Sequence, residues 1–167
     1  MSCCLEFASR SKTNCKVQLV TLMQQPDPKM VAFLKKHHVM TLSTCANLQP
    51  WCANCFYAFN PEKMSLIFTS DLETRHIREA MQNSKVAGNV VLETSIVGKI
   101  QGIQFSGELL LPKDEIAQQI NSIYLKRFPF ALLMSTTLWE LRIDFAKMTD
   151  NRLGFGKKLI WERGCEL

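Results

Sequence analysis

The sequence has no apolar run approaching the roughly 18 residues that cross a bilayer, and its start shows no apolar segment of the signal-peptide kind. It also lacks a GxGxxG after a strand pattern, a P-loop and an HExxH, the signatures of dinucleotide, triphosphate and zinc-protease sites. No block of Lys and Arg with interleaved aromatics is present, which argues against nucleic acid as a partner. Neither a repeat nor a low-complexity tract interrupts the 167 residues, a length that suits one domain with a core of its own. A disulfide framework is missing too. The seven cysteines, Cys3, Cys4, Cys15, Cys45, Cys52, Cys55 and Cys165, are odd in number and scattered, as free thiols in a reducing cytoplasm would be.

What is there is a chain that is 47% hydrophobic and 21% charged, with a net charge of +5. Residues 1–22 carry Arg10, Lys12 and Lys16 against Glu6, so the remainder is only mildly basic, a bias that suits small anionic ligands. Those first 22 residues show no periodicity and read as a loose tail ahead of a single domain over 23–167. Asp27-Pro28 opens a helix with Met30, Val31, Phe33, Leu34 and His38 on one stripe. His37 and His38 point about 100° apart on such a helix, a poor metal pair, with one expected half-buried and the other solvated.

Strands are expected at Val39 to Thr44, Pro50 to Phe59 and Met64 to Thr69, joined as an antiparallel meander. Further strands follow at Lys85 to Glu93 and Lys99 to Leu111, then a helix from Lys113 to Lys126 stopped by Phe128-Pro129. Leu138 to Lys147 and Phe155 to Arg163 close the chain around a Thr149-Asp150-Asn151-Arg152 turn. The fold class is mainly β with short α-helices (α+β). Six or seven antiparallel strands would close into a small barrel, since closure removes the sheet edges.

The densest chemistry lies in Leu66 to His76. An apolar strand ends in Thr69 and Ser70, and Arg75 follows where Ile77, Ala80 and Met81 mark a helix capped by Ser70 or Asp71. Free helix N–H groups, the Thr69, Ser70 and Thr74 hydroxyls and a guanidinium would converge there, a set that fits a phosphate monoester. An ordinary capped helix with a solvated arginine is the plainer reading.

Trp51-Cys52-Ala53-Asn54-Cys55 imitates a thioredoxin motif, but no helix follows to lower a thiol pKa. On a strand, Cys52 and Cys55 fall on opposite faces, which disfavours both a disulfide and a shared zinc. Gly154-Phe155-Gly156-Lys157-Lys158 is basic and glycine-rich, yet too short to wrap a triphosphate.

Taken in order, Trp51-Cys52-Ala53-Asn54, Phe68-Thr69, Thr74-Arg75-His76 and Gly102-Ile103-Gln104-Phe105-Ser106-Gly107-Glu108 resemble the FMN-binding split barrel of the pyridoxamine 5′-phosphate oxidase superfamily. Arg127-Phe128-Pro129, Trp139-Glu140-Leu141 and Thr149-Asp150-Asn151 through Lys158 narrow the likeness to its small bacterial YhbP-like branch, over roughly residues 27–163. The resemblance implies a homodimer with FMN in the groove between subunits. Phe68, Thr69, Ser70, Thr74, Arg75 and His76 would lie on the phosphate side, and Trp51, Cys52, Ala53 and Asn54 along the ring edge. Lys157 and Lys158 would come from the partner subunit. His76 stands where the family has lysine, which removes a dependable charge. The C-terminal arginine and histidine motif of the oxidase is absent, so pyridoxamine phosphate oxidation is not expected.

Two function classes remain. In the first, the protein is an FMN oxidoreductase that takes a hydride from a reduced nicotinamide and passes electrons to a small acceptor, with no side chain needed as nucleophile and no metal. In the second, it is a binding module that stores FMN or carries haem.

Overall fold

Asp27 caps the first helix through its carboxylate, which accepts from the Lys29 N–H at 2.8 Å, and Pro28 supplies the first helical position. The helix, α1, runs Pro28–Lys36 and buries Met30, Phe33 and Leu34. His38 does not extend this stripe as expected: the backbone turns extended at His37, leaving His37 half-buried and His38 exposed. The computed structural model describes residues 25–133, 136–154 and 157–164, so the expected tail lies outside the described residues, as do Cys3, Cys4, Cys15 and Cys165.

Strands β1 (Val39–Ala46) and β2 (Gln49–Phe56) form a hairpin around Asn47 and Leu48, whose φ angles are 51° and 63°. Both lie in the left-handed region, the requirement of the primed turns that match strand twist. The single strand expected over Pro50 to Phe59 breaks at Tyr57. Its N–H donates to the His38 carbonyl at 2.8 Å and its hydroxyl to the Leu34 carbonyl at 3.1 Å, which turns the chain into a separate β3, Ala58–Asn60. After β4 (Ser65–Ser70) come α2 (Arg75–Gln82), β5 (Lys85–Leu92), β6 (Gln101–Leu110), α3 (Asp114–Arg127), β7 (Thr137–Asp150) and β8 (Lys158–Glu162).

All pairings are antiparallel, in the order β2-β1-β5-β6-β7-β4-β3, with β8 on β7. The two ends of that order, β2 and β3, are the halves of one stretch bent at Tyr57. This is why the sheet curls into a split barrel, the mainly β architecture expected from the sequence. The first strands do not make a simple meander: β4 pairs with β7, brought from far along the chain. Thr149 and Asp150, expected in a turn, instead extend β7 and pair with Gly102 and Gln101, and the turn falls on Asn151–Leu153.

Between β6 and β7 the register shifts, with Ser106 opposite Phe145 but Gly107 opposite Ile143, so Asp144 is the extra residue of a bulge. A Cβ at Gly107 would strike the Arg142 carbonyl oxygen and lie 3.1 Å from the Ile143 Cα, so only glycine fits there.

The barrel interior holds Met40, Leu42, Leu66, Phe68, Ile103, Leu141 and Ile143, sealed by the buried faces of α1 and α2. A second cluster, Ala58, Ile67, Ile120, Tyr124 and Phe128, lies outside the barrel beneath α3. β4 is therefore covered on both faces, which accounts for its unbroken Leu66-Ile67-Phe68 run. Among the described residues, no helix is long and apolar enough to cross a membrane.

Candidate functional site

The helix expected after β4 begins later than the first hydroxyls imply. Residues 71–74 form a turn in which the Thr74 N–H and Oγ1 both donate to the Asp71 carbonyl, at 3.2 and 2.8 Å, so Thr74 and not Ser70 or Asp71 is the N-cap. With its hydroxyl spent on that turn, Thr74 makes no side-chain cap, and the N–H groups of the first turn stay available at the positive end of the helix. Ile77 and Ala80 are buried as expected, but Met81 is 65% exposed. Glu79 takes the buried side instead.

Burial of Glu79 organises the site. Thr44 on β1, fully enclosed, donates from Oγ1 to Glu79 Oε2 at 2.6 Å, and Arg75 Nε donates to Glu79 Oε1 at 2.7 Å. The Arg75 guanidinium carbon sits 4.1 Å from the Trp51 ring centroid, and Trp51 is the cross-strand partner of Thr44. Four residues from three elements thus close a ring. The two hydrogen bonds, Thr44 first, hold the Glu79 carboxyl below its ordinary pKa. Arg75 is neither merely solvated nor a free cation: Nε is committed, its side chain is 44% exposed, and its Nη atoms carry no hydrogen bond among the described residues.

Beside it, His76 Nε2 lies 2.9 Å from Ser70 Oγ, which lies 3.1 Å from Thr74 Oγ1. The Thr74 proton goes to a carbonyl, which can only accept. The order that gives every contact a proton therefore runs from His76 Nε2–H to Ser70, to Thr74, to Asp71. Burial pushes the His76 pKa down, against the opposing pull of Glu79, so the ring is neutral at pH 7. Thr69 Oγ1 is 3.1 Å from the Tyr124 hydroxyl of α3.

The remaining expected residues divide by strand face. Trp51 and Ala53 share the inward side of β2, Ala53 packing on the core. Cys52 and Asn54 face outward: Cys52 Sγ is 3.3 Å from Ser43 Oγ, and Asn54 Oδ1 accepts from Thr41 Oγ1 at 3.1 Å. Cys52 is exposed and Cys55 buried, both as free thiols on opposite faces. The apolar setting raises the Cys55 pKa to about 11, the reverse of an activated thiol. β2 pairs only with β1 among the described strands, so its other edge presents main-chain donors and acceptors.

Phe68 is fully enclosed in the barrel, which leaves its main chain alone for any ligand. Within one chain Lys157 and Lys158 are remote: Thr69 pairs with Leu138 and Lys158 with Thr149, at opposite ends of β7, roughly 35 Å along the strand. Lys158 Nζ donates to Thr149 Oγ1 at 3.0 Å, and Lys157 is exposed. Glu79 was missed from the sequence. Its place four residues after Arg75, one helical turn on, was the available signal.

The geometry accommodates a phosphate group: an uncapped helix start, a guanidinium steadied on an indole, and a neighbouring open strand edge. Glu79 sets the limit, since its charge offsets part of that of Arg75.

No family model matches the chain. Curated relatives do: a UPF0306 protein of Photorhabdus laumondii is 40% identical over 131 residues, 78% of this chain and 92% of the relative. A second, from Cronobacter sakazakii, is 44% identical over 131 residues, 78% of this chain and 91% of the relative. Among solved structures, a haem-binding protein of Mycobacterium smegmatis superposes with a TM-score of 0.67 at 15% identity, over 83% of this chain and 59% of that one. An FAD-binding protein of Mesorhizobium loti gives 0.61 at 13%, over 76% and 96%. A Listeria innocua protein carrying the pyridoxamine 5′-phosphate oxidase name gives 0.54 at 18%, over 71% and 93%. These similarities establish the split-barrel fold, and by its curated relatives the chain belongs to the UPF0306 family.

Proposed function

We propose that the protein is an FMN-binding oxidoreductase of the small YhbP-like kind, working as a homodimer in the cytoplasm with a reduced nicotinamide as electron donor. The observation that carries this reading is the Trp51–Arg75 pair, set between the open edge of β2 and the uncapped start of α2. Arg75 and the first-turn N–H groups would hold the phosphate. The main chain of Trp51 to Asn54 would run along the ring edge, and Lys157 and Lys158, remote within one chain, would come from the second copy. Bound FMN supplies two-electron transfer, which no side chain of this site provides. The residues themselves bind, orient and shield: the indole and the Glu79 carboxylate fix the guanidinium plane, and neutral His76 adds a hydrogen-bonding group without a charge.

The likeness to an FAD-binding protein supports a flavin. The likeness to a haem-binding protein supports the second reading, a module without catalysis. That reading would have to use His76 Nδ1 as the iron ligand, since Nε2 is held 2.9 Å from Ser70 Oγ. The absorption spectrum of natively purified protein separates the two: a flavin band supports the proposal, a Soret band replaces it, and neither band moves the question to titration of the protein with FMN. Sedimentation at micromolar concentration tests the dimer, since a monomer would lack the second wall of the groove.

A further inference from the structure

A cavity among the described residues lies away from Arg75. Its volume is about 520 Å3, within the range of small-molecule sites. Three elements enclose it: the end of α1, the bend with β3, and the last turn of α3. Phe59, Pro61 and Ile123 give it apolar surface, Leu34 and Ala58 being buried, while Lys35, Lys126 and Arg127 stand at its rim against one carboxylate, Glu62.

Basic residues at helix ends often only complement the helix dipole, and here two C-termini converge. Their carbonyls are already answered, however. The Leu34 carbonyl accepts from the Tyr57 hydroxyl, the Lys36 carbonyl from Arg127 Nη2 at 3.4 Å, and the Phe33 and Tyr124 carbonyls from the cap N–H groups of His37 and Phe128. Among the described residues, Lys35, Lys126 and Arg127 form no ion pair. Burial and the neighbouring Lys36 push the His37 pKa down, so His37 lines the wall as a neutral ring able to donate or accept. A pocket with an apolar side and surplus positive charge at its mouth selects an amphiphilic anion: the body leaves water against Phe59 and Ile123 while the charged end stays at the rim.

We propose that this cavity is a second small-molecule site, for an organic anion with an apolar body. It does not rest on the flavin reading, and FMN is not its ligand. The test uses 8-anilinonaphthalene-1-sulfonate, whose fluorescence rises in apolar surroundings, titrated into the full chain beside its uncharged analogue N-phenyl-1-naphthylamine. One sulfonate should bind per chain, at least tenfold more tightly than the neutral probe, and saturating FMN should not displace it. Lys35→Glu with Lys126→Glu, on two different helices, should weaken binding at least tenfold. Lys99→Glu with Lys113→Glu, exposed changes of equal total charge elsewhere, should leave it within twofold. The proposal is overturned by absence of binding, by equal affinity of the neutral probe, by displacement with FMN, or by equal effects of this control and the cavity variant. The comparison of the two probes needs only the wild-type chain, so it decides even where a variant does not fold.

Discussion

The Arg75 guanidinium carbon lies 4.1 Å from the centre of the Trp51 ring, and the same side chain is tied through Nε to Glu79. Trp51 in turn faces Thr44 across the hairpin, and Thr44 holds the other Glu79 oxygen. Each contact fixes the next, so the Nη edge of the guanidinium has one orientation before any ligand arrives. Preorganisation of this kind converts into affinity because less freedom is lost on binding.

Arg75→Ala should therefore weaken FMN binding at least tenfold, because charge-assisted hydrogen bonds contribute about 1.5–3 kcal/mol each and ~1.4 kcal/mol is one decade. Arg75→Lys should recover only part of the loss, since an ammonium has neither the planar fork nor the flat face that stacks on indole. Quenching of flavin fluorescence measures both. Equal affinities for wild type and Arg75→Ala would put the phosphate elsewhere.

Much of the fold was legible because the strands announce themselves by alternation and the helices by caps, as Asp27-Pro28 does. The break at Tyr57 was not, because Cys55 to Phe59 is a continuous run whose bend depends on the carbonyls of Leu34 and His38. Nor was the helix start, since Ser70, Asp71 and Thr74 are equally good caps by type and only the turn to the Asp71 carbonyl chooses between them. Of the site, the Ser70, Thr74 and His76 cluster was readable from proximity in the chain, whereas Thr69 turns to Tyr124 of α3 and Arg75 to Trp51 and Glu79. The compensation of Arg75 was not, because Glu79 is fixed by Thr44, 35 positions away. The separation of Lys158 from that cluster is a product of the length of β7, which local pattern understated.

Leu48 offers a gain in stability. It is 95% exposed and held at φ 63°, where a side chain costs about 1–2 kcal/mol and glycine almost nothing. Glycine gives some of that back as unfolded-chain entropy, about 0.5–1 kcal/mol. Leu48→Gly should thus stabilise the protein by about 0.5 kcal/mol, read as a higher urea midpoint at unchanged slope; a lower midpoint would mean that the turn is not of the primed type.

Gly107 predicts the opposite. Gly107→Ala places a methyl group against the Arg142 carbonyl inside the bulge, with backbone and not a flexible side chain in the way. Strand backbone must shift, at a cost of about 1–3 kcal/mol. The urea midpoint should fall, whereas Gly98→Ala, where an added Cβ meets nothing within 4 Å, should leave it nearly unmoved.

Acid should unfold the protein in two stages, and the sign follows from which state binds more protons. Burial lowers the pKa of His76 and His37 from the ordinary 6.5, so between that value and the folded one the unfolded chain holds protons that the native chain does not. Stability then rises with pH. What these two rings contribute is fully present above pH 6.5 and drains away as pH falls through their folded values. Glu79, Glu108 and Asp150 are also depressed, mainly by hydrogen bonds from Thr44, Ser84 and Arg152 respectively. Their share is intact above the ordinary carboxylate pKa and is lost only at lower pH. The melting temperature should accordingly begin to drop as pH falls below 6.5, and drop further below 4.5. Replacing both rings, His37→Gln with His76→Gln, should flatten the first step and leave the second. An unaltered first step in that variant would assign it to groups other than these two histidines.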